Sequence, residues 1–293
     1  MNLSNARATF GLNCRATPTS SNVTGSVQVG ASNASVAFPN ANVGYTVRAI
    51  FAGSGKTFTL NTTTNAVSAA SAWTAGAAQV ETATAAGTIS AAGNASVTVT
   101  AAGMTGSPKT LSVAVSNTDT AATWAGKVRT ALAADADVSA LFTVGGATTA
   151  ISLTRKPTSA FTVPGGTLGL YAANDATLNI ALANGTCTGI TAAATSANTT
   201  AGVLTDGVKI YDNATDFEGV TIPTIVPQAV LFSNAGSSTC SVSDIASGEQ
   251  YTISAGGFSG FSGNGENFNF GLVPVLYSSG TTDISITVIG QTV

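Results

Sequence analysis

The residues most suggestive of chemistry are Asp212, Asp216 and Glu218, three carboxylates within a seven-residue span. Paired carboxylates serve glycoside hydrolysis when one is held protonated. Several together can also supply the oxygen ligands of a calcium ion. Here the spacing matches no calcium loop, and Asn213 and Gly219 beside them read as a solvated turn. A carboxylate cluster without a motif is read as loop surface. A second candidate is AGSGKT at 52–57. A phosphate-binding loop needs Gly, four residues, then Gly-Lys-Ser/Thr, and it must open a helix. The leading position is Ile50, and the strand-like FTLNTTT follows. Without a helix N-terminus the loop lacks the dipole that attracts phosphate.

The remaining nucleophiles and ligands point the same way. Cys14, Cys187 and Cys240 are far apart and odd in number, which argues against a disulfide framework or a zinc cluster. They read as buried or half-buried thiols of a protein made in a reducing cytosol. The chain has no histidine. That removes the commonest general base, the Ser-His-Asp arrangement and the commonest metal ligand together. The expectation is a non-enzymatic chain with no catalytic, cofactor-binding or metal site.

Composition narrows the partners. Only 8% of residues are charged, against about 25% in ordinary soluble domains. Surfaces that lean on Ser, Thr, Asn and Gly repel their neighbours weakly, which favours association with further copies. The net charge of −3 leaves no basic face for phosphates, so nucleic acid is not an expected partner. No apolar run reaches the length of a membrane span, so no membrane partner is expected. The first twenty residues lack the apolar core of an export signal.

The elements that must position these residues are mostly strands. Period-2 alternation marks VTGSVQV, SVAF, YTVRAIF and KTFTLNTTT between 23 and 64, with Gly53-Ser54-Gly55 read as a hairpin turn between the last two. Residues 68–92 are rich in Ala, Thr and Ser and read as a linker or edge strand, and 190–203 as a second hinge. Between them, SVTVTAAGM and KTLSVAVS form a hairpin. Asn117-Thr118-Asp119 gives a helix start signal. Trp124, Ala125, Val128 and Leu132 then line one face of a helix over 120–134, with Trp124 read as core. Asp135 and Asp137 end that helix and cap a short second one. Arg155-Lys156 reads as a solvated pair. TAISLTR and DATLNIALAN are strands, and PTSAFTVPGGT is a loop. From 204 the β pattern resumes. QAVLFSN is a buried central strand, and TCSVSDI with EQYTISAGGF forms a hairpin. Phe258, Phe261, Phe268 and Phe270 are spaced through a Gly-rich stretch. They are the candidate assembly anchors, with core closure as the competing role.

The run GNASVTVTAAGMTGSPKTLSVAVSNTDTAATWAGKVRTALAAD (93–135), with NDATLNIALANGTCTGI (174–190), resembles a module found in structural proteins of tailed bacteriophages. The shared pattern is a G-N-A-[ST]-V-T-V strand, a G-S-P-K turn, a D-T-A-capped helix ending A-L-A-A-D, and a later N-D-A-T-L-N-I-A. It covers about a third of the chain. A looser resemblance to β-sandwich surface subunits of phage particles runs over QAVLFSNAGSSTCSVSDIASGEQYTISAGGF. The resemblance implies a virion protein assembled in the bacterial host cytoplasm, with copies of itself and other virion proteins as partners.

These readings combine into one expectation. The fold is mainly β: a β-sandwich or jelly-roll-like outer domain carrying an inserted small α+β domain of β-β-α-β-β order. The expected division is an N-terminal arm over 1–20, outer domain over 21–87 and 201–293, and inserted domain over 88–200. The expected role is a virion subunit that decorates or cements the head shell. A tail tube or other tail protein is the alternative, and a host-binding adhesin module the further one.

Overall fold

The computed structural model describes residues 23–29, 32–38, 42–191, 196–211, 224–243, 250–262 and 274–292. The protein is mainly β, with a small helical part. In chain order come β1 (Val23–Val29), β2 (Ser32–Phe38), β3 (Asn42–Ala52), β4 (Thr57–Leu60) and β5 (Val67–Ala70). Then follow β6 (Val80–Thr84), β7 (Gly93–Thr100), β8 (Lys109–Val115), α1 (Ala121–Ala134) and α2 (Ala136–Leu141). Next are β9 (Phe142–Gly145), β10 (Ala150–Arg155), β11 (Ser159–Val163), β12 (Gly166–Leu170), β13 (Asn179–Asn184) and β14 (Ala197–Thr200). Last come β15 (Gly207–Tyr211), β16 (Ile225–Asn234), β17 (Cys240–Ser243), β18 (Gln250–Ile253), β19 (Phe258–Ser262), β20 (Val275–Ser278) and β21 (Thr282–Thr292).

Two compact units share this chain. The first uses the segments up to Ile50, Thr57–Ala70 and from Ile210 onward; the second uses Phe51–Lys56 and Ser71–Lys209. The expected inserted domain ran from 88 to 200, so the second unit is longer at both ends.

The first unit is sandwich-like. One five-stranded sheet has the order β15-β3-β21-β16-β19, the other β18-β17-β20-β4-β5. Strands β1 and β2 pair separately as an antiparallel hairpin. Alternation explains the layering, since every second side chain of a strand points the same way. Tyr45, Val47 and Ala49 of β3, Val230 and Phe232 of β16, and Ile284, Ile286 and Val288 of β21 are fully buried. Phe58, Leu60, Val242 and Leu276 supply the buried side of the other sheet. Burying each large apolar side chain stabilises the fold by about 1.5–3 kcal/mol. Buried Tyr45 donates its hydroxyl to the Thr62 carbonyl at 2.9 Å, so its polar tip is not stranded. The Gly53-Ser54-Gly55 turn differs from expectation. It does not close a hairpin, because β3 and β4 belong to different sheets and the turn carries the chain from one to the other.

The second unit holds a three-stranded sheet β13-β7-β8, a four-stranded sheet β14-β6-β10-β9 and a ribbon β11-β12. Helix α1 packs on β8 of one sheet and on β9 and β10 of the other. The expected β-β-α-β-β string is therefore part of a larger set, split over two sheets. Trp124, Ala125, Val128 and Leu132 form the buried face of α1, as their spacing predicts. They join Val97, Val99, Val113, Ile151, Leu153 and Ile180 in one core. The Trp124 indole N–H donates to the Gly87 carbonyl at 3.0 Å.

Three stretches depart from their sequence reading. The 68–92 segment contains β6, which pairs with both β10 and β14 and so is an interior strand. The 190–203 segment contributes β14 to that sheet. PTSAFTVPGGT is a hairpin, with Ser159 to Val163 paired against Leu170 to Gly166. Threonine and valine favour strands, and here that preference outweighs the Ala/Ser/Gly content that suggested linkers.

Candidate functional site

Asp212, Asp216 and Glu218 lie outside the described residues, as do Cys14, Phe268 and Phe270. Two of the four candidate aromatics can be placed. Phe261 stands opposite Val230 in the β19–β16 ladder, and Phe258 stands opposite Ser233. The Phe258 side chain is 67% exposed.

Phe258 belongs to a larger surface. Val230, Phe232 and Asn234 turn into the first unit, so Leu231 and Ser233 between them face outward. On β21, Ile284, Ile286 and Val288 turn inward, and Ile289 outward. Ala229 is opposite Ile289, and Leu231 is opposite both Thr287 and Gly260. Gly260 matters because a side chain there would meet the Leu231 Cδ2 at 2.6 Å. Its bareness leaves room for Leu231, and the Phe258 Cζ lies 3.8 Å from where that Cβ would stand. Val226, 49% exposed, continues the band beyond Ile289, which is 37% exposed. Among the described residues, the outer face of this sheet thus carries exposed or half-buried apolar side chains on β19, β16 and β21.

The same sheet has a polar flank. Arg48 of β3 grips Asp283 of β21 with two parallel hydrogen bonds, Nε to Oδ1 at 2.9 Å and Nη2 to Oδ2 at 2.7 Å. Such a forked pair fixes geometry as well as neutralising charge. Thr46 and Thr287 share a 3.0 Å hydroxyl contact beside it. Burial raises the Tyr211 phenol above its ordinary pKa; the Arg48 charge opposes this and the Asp283 carboxylate adds to it.

The second unit holds a buried polar clasp. The Gln79 side chain forms two bonds with the Asp175 backbone, accepting from its N–H at 2.7 Å and donating to its carbonyl at 2.9 Å. The Asp175 carboxylate accepts from the Ala102 N–H, the Thr177 N–H and the Thr177 hydroxyl, and pairs with Arg155 at 3.4 Å. Burial alone would push this carboxyl up. The Thr177 and Ala102 hydrogen bonds and the Arg155 charge outweigh it and hold the pKa below the usual carboxylate range. Arg155 is therefore a partly buried tie between elements, not half of a solvated pair. Lys156 donates to the Ser139 carbonyl. Glu81, also buried, accepts from the Ser196 hydroxyl. Gln79 and Glu81 sit in a stretch whose composition gave no sign of an interior strand.

Other sequence candidates take structural places. Asp135 ends α1 and caps α2, accepting from the Asp137 and Val138 N–H groups. Thr120, not the Asn117–Asp119 run, caps α1 by accepting from the Thr123 N–H. Lys56 of the AGSGKT turn pairs with Asp206 at 2.7 Å. Cys187 and Cys240 are free and buried. Among the described residues, no group of three or more His, Cys, Asp or Glu side chains converges to hold a metal. No helix there is long and apolar enough to cross a membrane. Among the described residues, the outer face of the first unit's sheet carries exposed apolar side chains beside the paired Arg48 and Asp283. Searches against protein families, curated proteins and solved structures find no match to this chain.

Proposed function

We propose that this chain is a non-enzymatic structural subunit of a tailed-bacteriophage virion, repeated over the head shell as a decorating or cementing protein. The observation that carries this reading is the apolar strip on the outer face of the first unit, flanked by the neutral Arg48–Asp283 pair. Contiguous exposed apolar surface marks an interaction site. The phage-like wording of 93–135 and 174–190, folded within a compact second unit, supplies the particle class. That unit shows small uncharged side chains outward: Ser96, Thr98, Ser112 and Ala114 on β7 and β8, Ala181 and Ala183 on β13. Such a surface keeps that unit soluble with few charges.

Cryo-microscopy of particles carrying a label on the second unit tests the proposal. Label repeating over the head lattice supports it. Label repeating along a tube replaces it with a tail subunit, and label confined to fibre tips with an adhesin. Protein absent from particles overturns the virion reading.

A further inference from the structure

Asn184-Gly185 is one of two Asn-Gly pairs in the chain, the other being Asn264-Gly265. Such a pair is chemically labile, because glycine has no side chain to shield its backbone nitrogen from the amide before it. Packing demands both residues here. The Asn184 side chain closes the loop that follows β13. Its Nδ2 donates to the Ile190 carbonyl at 3.1 Å, and its Oδ1 accepts from the Ile190 N–H at 3.1 Å and from the Cys187 thiol at 3.7 Å. Cys187 and Ile190 belong to the second unit's core. A Cβ on residue 185 would stand 2.6 Å from the Asn94 carbonyl oxygen, so only glycine fits.

The same contacts oppose the reaction. Asn184 is exposed, so exclusion of water does not protect it. Ring closure requires the Gly185 nitrogen to swing onto the Asn184 Cγ. Asn184 is the last residue of β13, opposite Ala95 of β7. Extended backbone holds the next nitrogen away from the residue's own side chain. That nitrogen donates to the Asn94 carbonyl at 3.1 Å, as do the Thr186 and Cys187 N–H groups at 2.9 and 3.2 Å. The side-chain amide is held at both ends by Ile190.

We propose that Asn184 is a deamidation site closed by folding: it reacts in chains whose 184–190 loop is open and persists as Asn where the loop is formed. In the open chain the Gly185 nitrogen gives up its proton and attacks the Asn184 Cγ. A new C–N bond forms, the bond from Cγ to the amide nitrogen breaks, and ammonia leaves. Water then opens the cyclic imide at one carbonyl or the other, giving Asp or isoaspartate. Both products lack the donor to the Ile190 carbonyl, and Asp sets a carboxylate oxygen against it, so the loop cannot be remade as it was. The change is one-way and marks chains that linger unfolded. It stands independently of the virion role proposed above.

The test is peptide mapping by mass spectrometry after incubation of the purified full chain in mildly alkaline buffer, native and in guanidinium. Asn264 of the denatured chain is the internal standard. There the two pairs should react at similar rates. Native Asn184 should react at least about tenfold more slowly than in the denatured chain, because only the open fraction is competent. Asn184→Asp makes one product directly. It should lower the melting temperature of the second unit by about 2 °C or more, or leave that unit unfolded. Native Asn184 that deamidates as fast as in the denatured chain overturns the proposal. So does Asn184 that stays intact in the denatured chain while Asn264 reacts, or an Asn184→Asp variant whose second unit melts as the wild type does.

Discussion

Lys56 and Asp206 are 150 positions apart in sequence, and their side chains meet at 2.7 Å. Asp206 is also paired through its backbone with Thr74, N–H to carbonyl in both directions. The lysine of the AGSGKT turn thus ties that turn to the segment around Asp206, which the Thr74 backbone holds from the other side. A lysine engaged this way, on a turn that leads into strand β4, has no role at a nucleotide phosphate. Magnesium-ATP should leave the melting temperature unchanged. Lys56→Met should cost no more than about 1 kcal/mol, as expected for a partly exposed pair. A clear ATP-dependent rise in melting temperature would refute this assignment.

Leu132 is fully buried in the core that α1 shares with both sheets of the second unit. Leu132→Asp places a charge where no partner exists for it and should destabilise that unit by about 4 kcal/mol or more. The first unit has its own buried residues, so it should still melt separately. Differential scanning calorimetry should show one transition lost and one kept. Loss of both together would mean that the units do not fold independently.

The clasp around Asp175 makes the second unit sensitive to acid. Its carboxyl has a lower pKa folded than unfolded. The stabilisation is therefore present above the ordinary carboxylate range and disappears as pH falls through the lower folded value. Asp119 and Asp135 are shifted the same way, Asp119 chiefly by Lys127 and Asp135 chiefly by the Val138 N–H. Stability of this unit should fall below about pH 4. Asp175→Asn should cost about 1–3 kcal/mol at neutral pH and flatten the acid limb. Chemical denaturation at a series of pH values reads both effects.

Burial pushes the Cys240 thiol up to about 12, with a smaller opposing pull from a Tyr277 backbone hydrogen bond. Cys187 is buried, and its thiol donates to the Asn184 side-chain Oδ1 at 3.7 Å. Thiolate is the reactive form. In a Cys14→Ser variant, a thiol-specific reagent at pH 8 should label neither cysteine of the native protein and both after denaturation. Rapid labelling of the native variant would show that one of these sites opens.

Much of this architecture is legible in the residues. Strands with strict alternation, such as β3 and β7, announce themselves, because burying one face of a sheet demands that period. The helix was equally plain, since Trp124, Val128 and Leu132 recur at helical spacing. Strand β6 was not. Its interior position depends on Glu81 and Gln79 being satisfied by Ser196 and the Asp175 backbone, residues 96 to 115 positions away. No local pattern encodes that. The apolar strip was half visible. Phe258 stands out by type, whereas Leu231 sits in QAVLFSN, which reads as a buried strand, and Val226 and Ile289 carry no signal of their own. Only the pairing of β16 with β19 and β21 shows which of them face outward.

Strand β21 has one further consequence, for timing. It lies third in its five-stranded sheet, between β3 and β16. Thr46 on β3 waits for Thr287 on β21, 241 positions later. During synthesis, then, the whole second unit leaves the ribosome before the first unit can close its central sheet. Until then β3 and β16 each present an unfilled edge, the state in which strands most readily join the wrong neighbour. The second unit can complete in that interval, because all of Ser71–Lys209 precedes β16 in the chain.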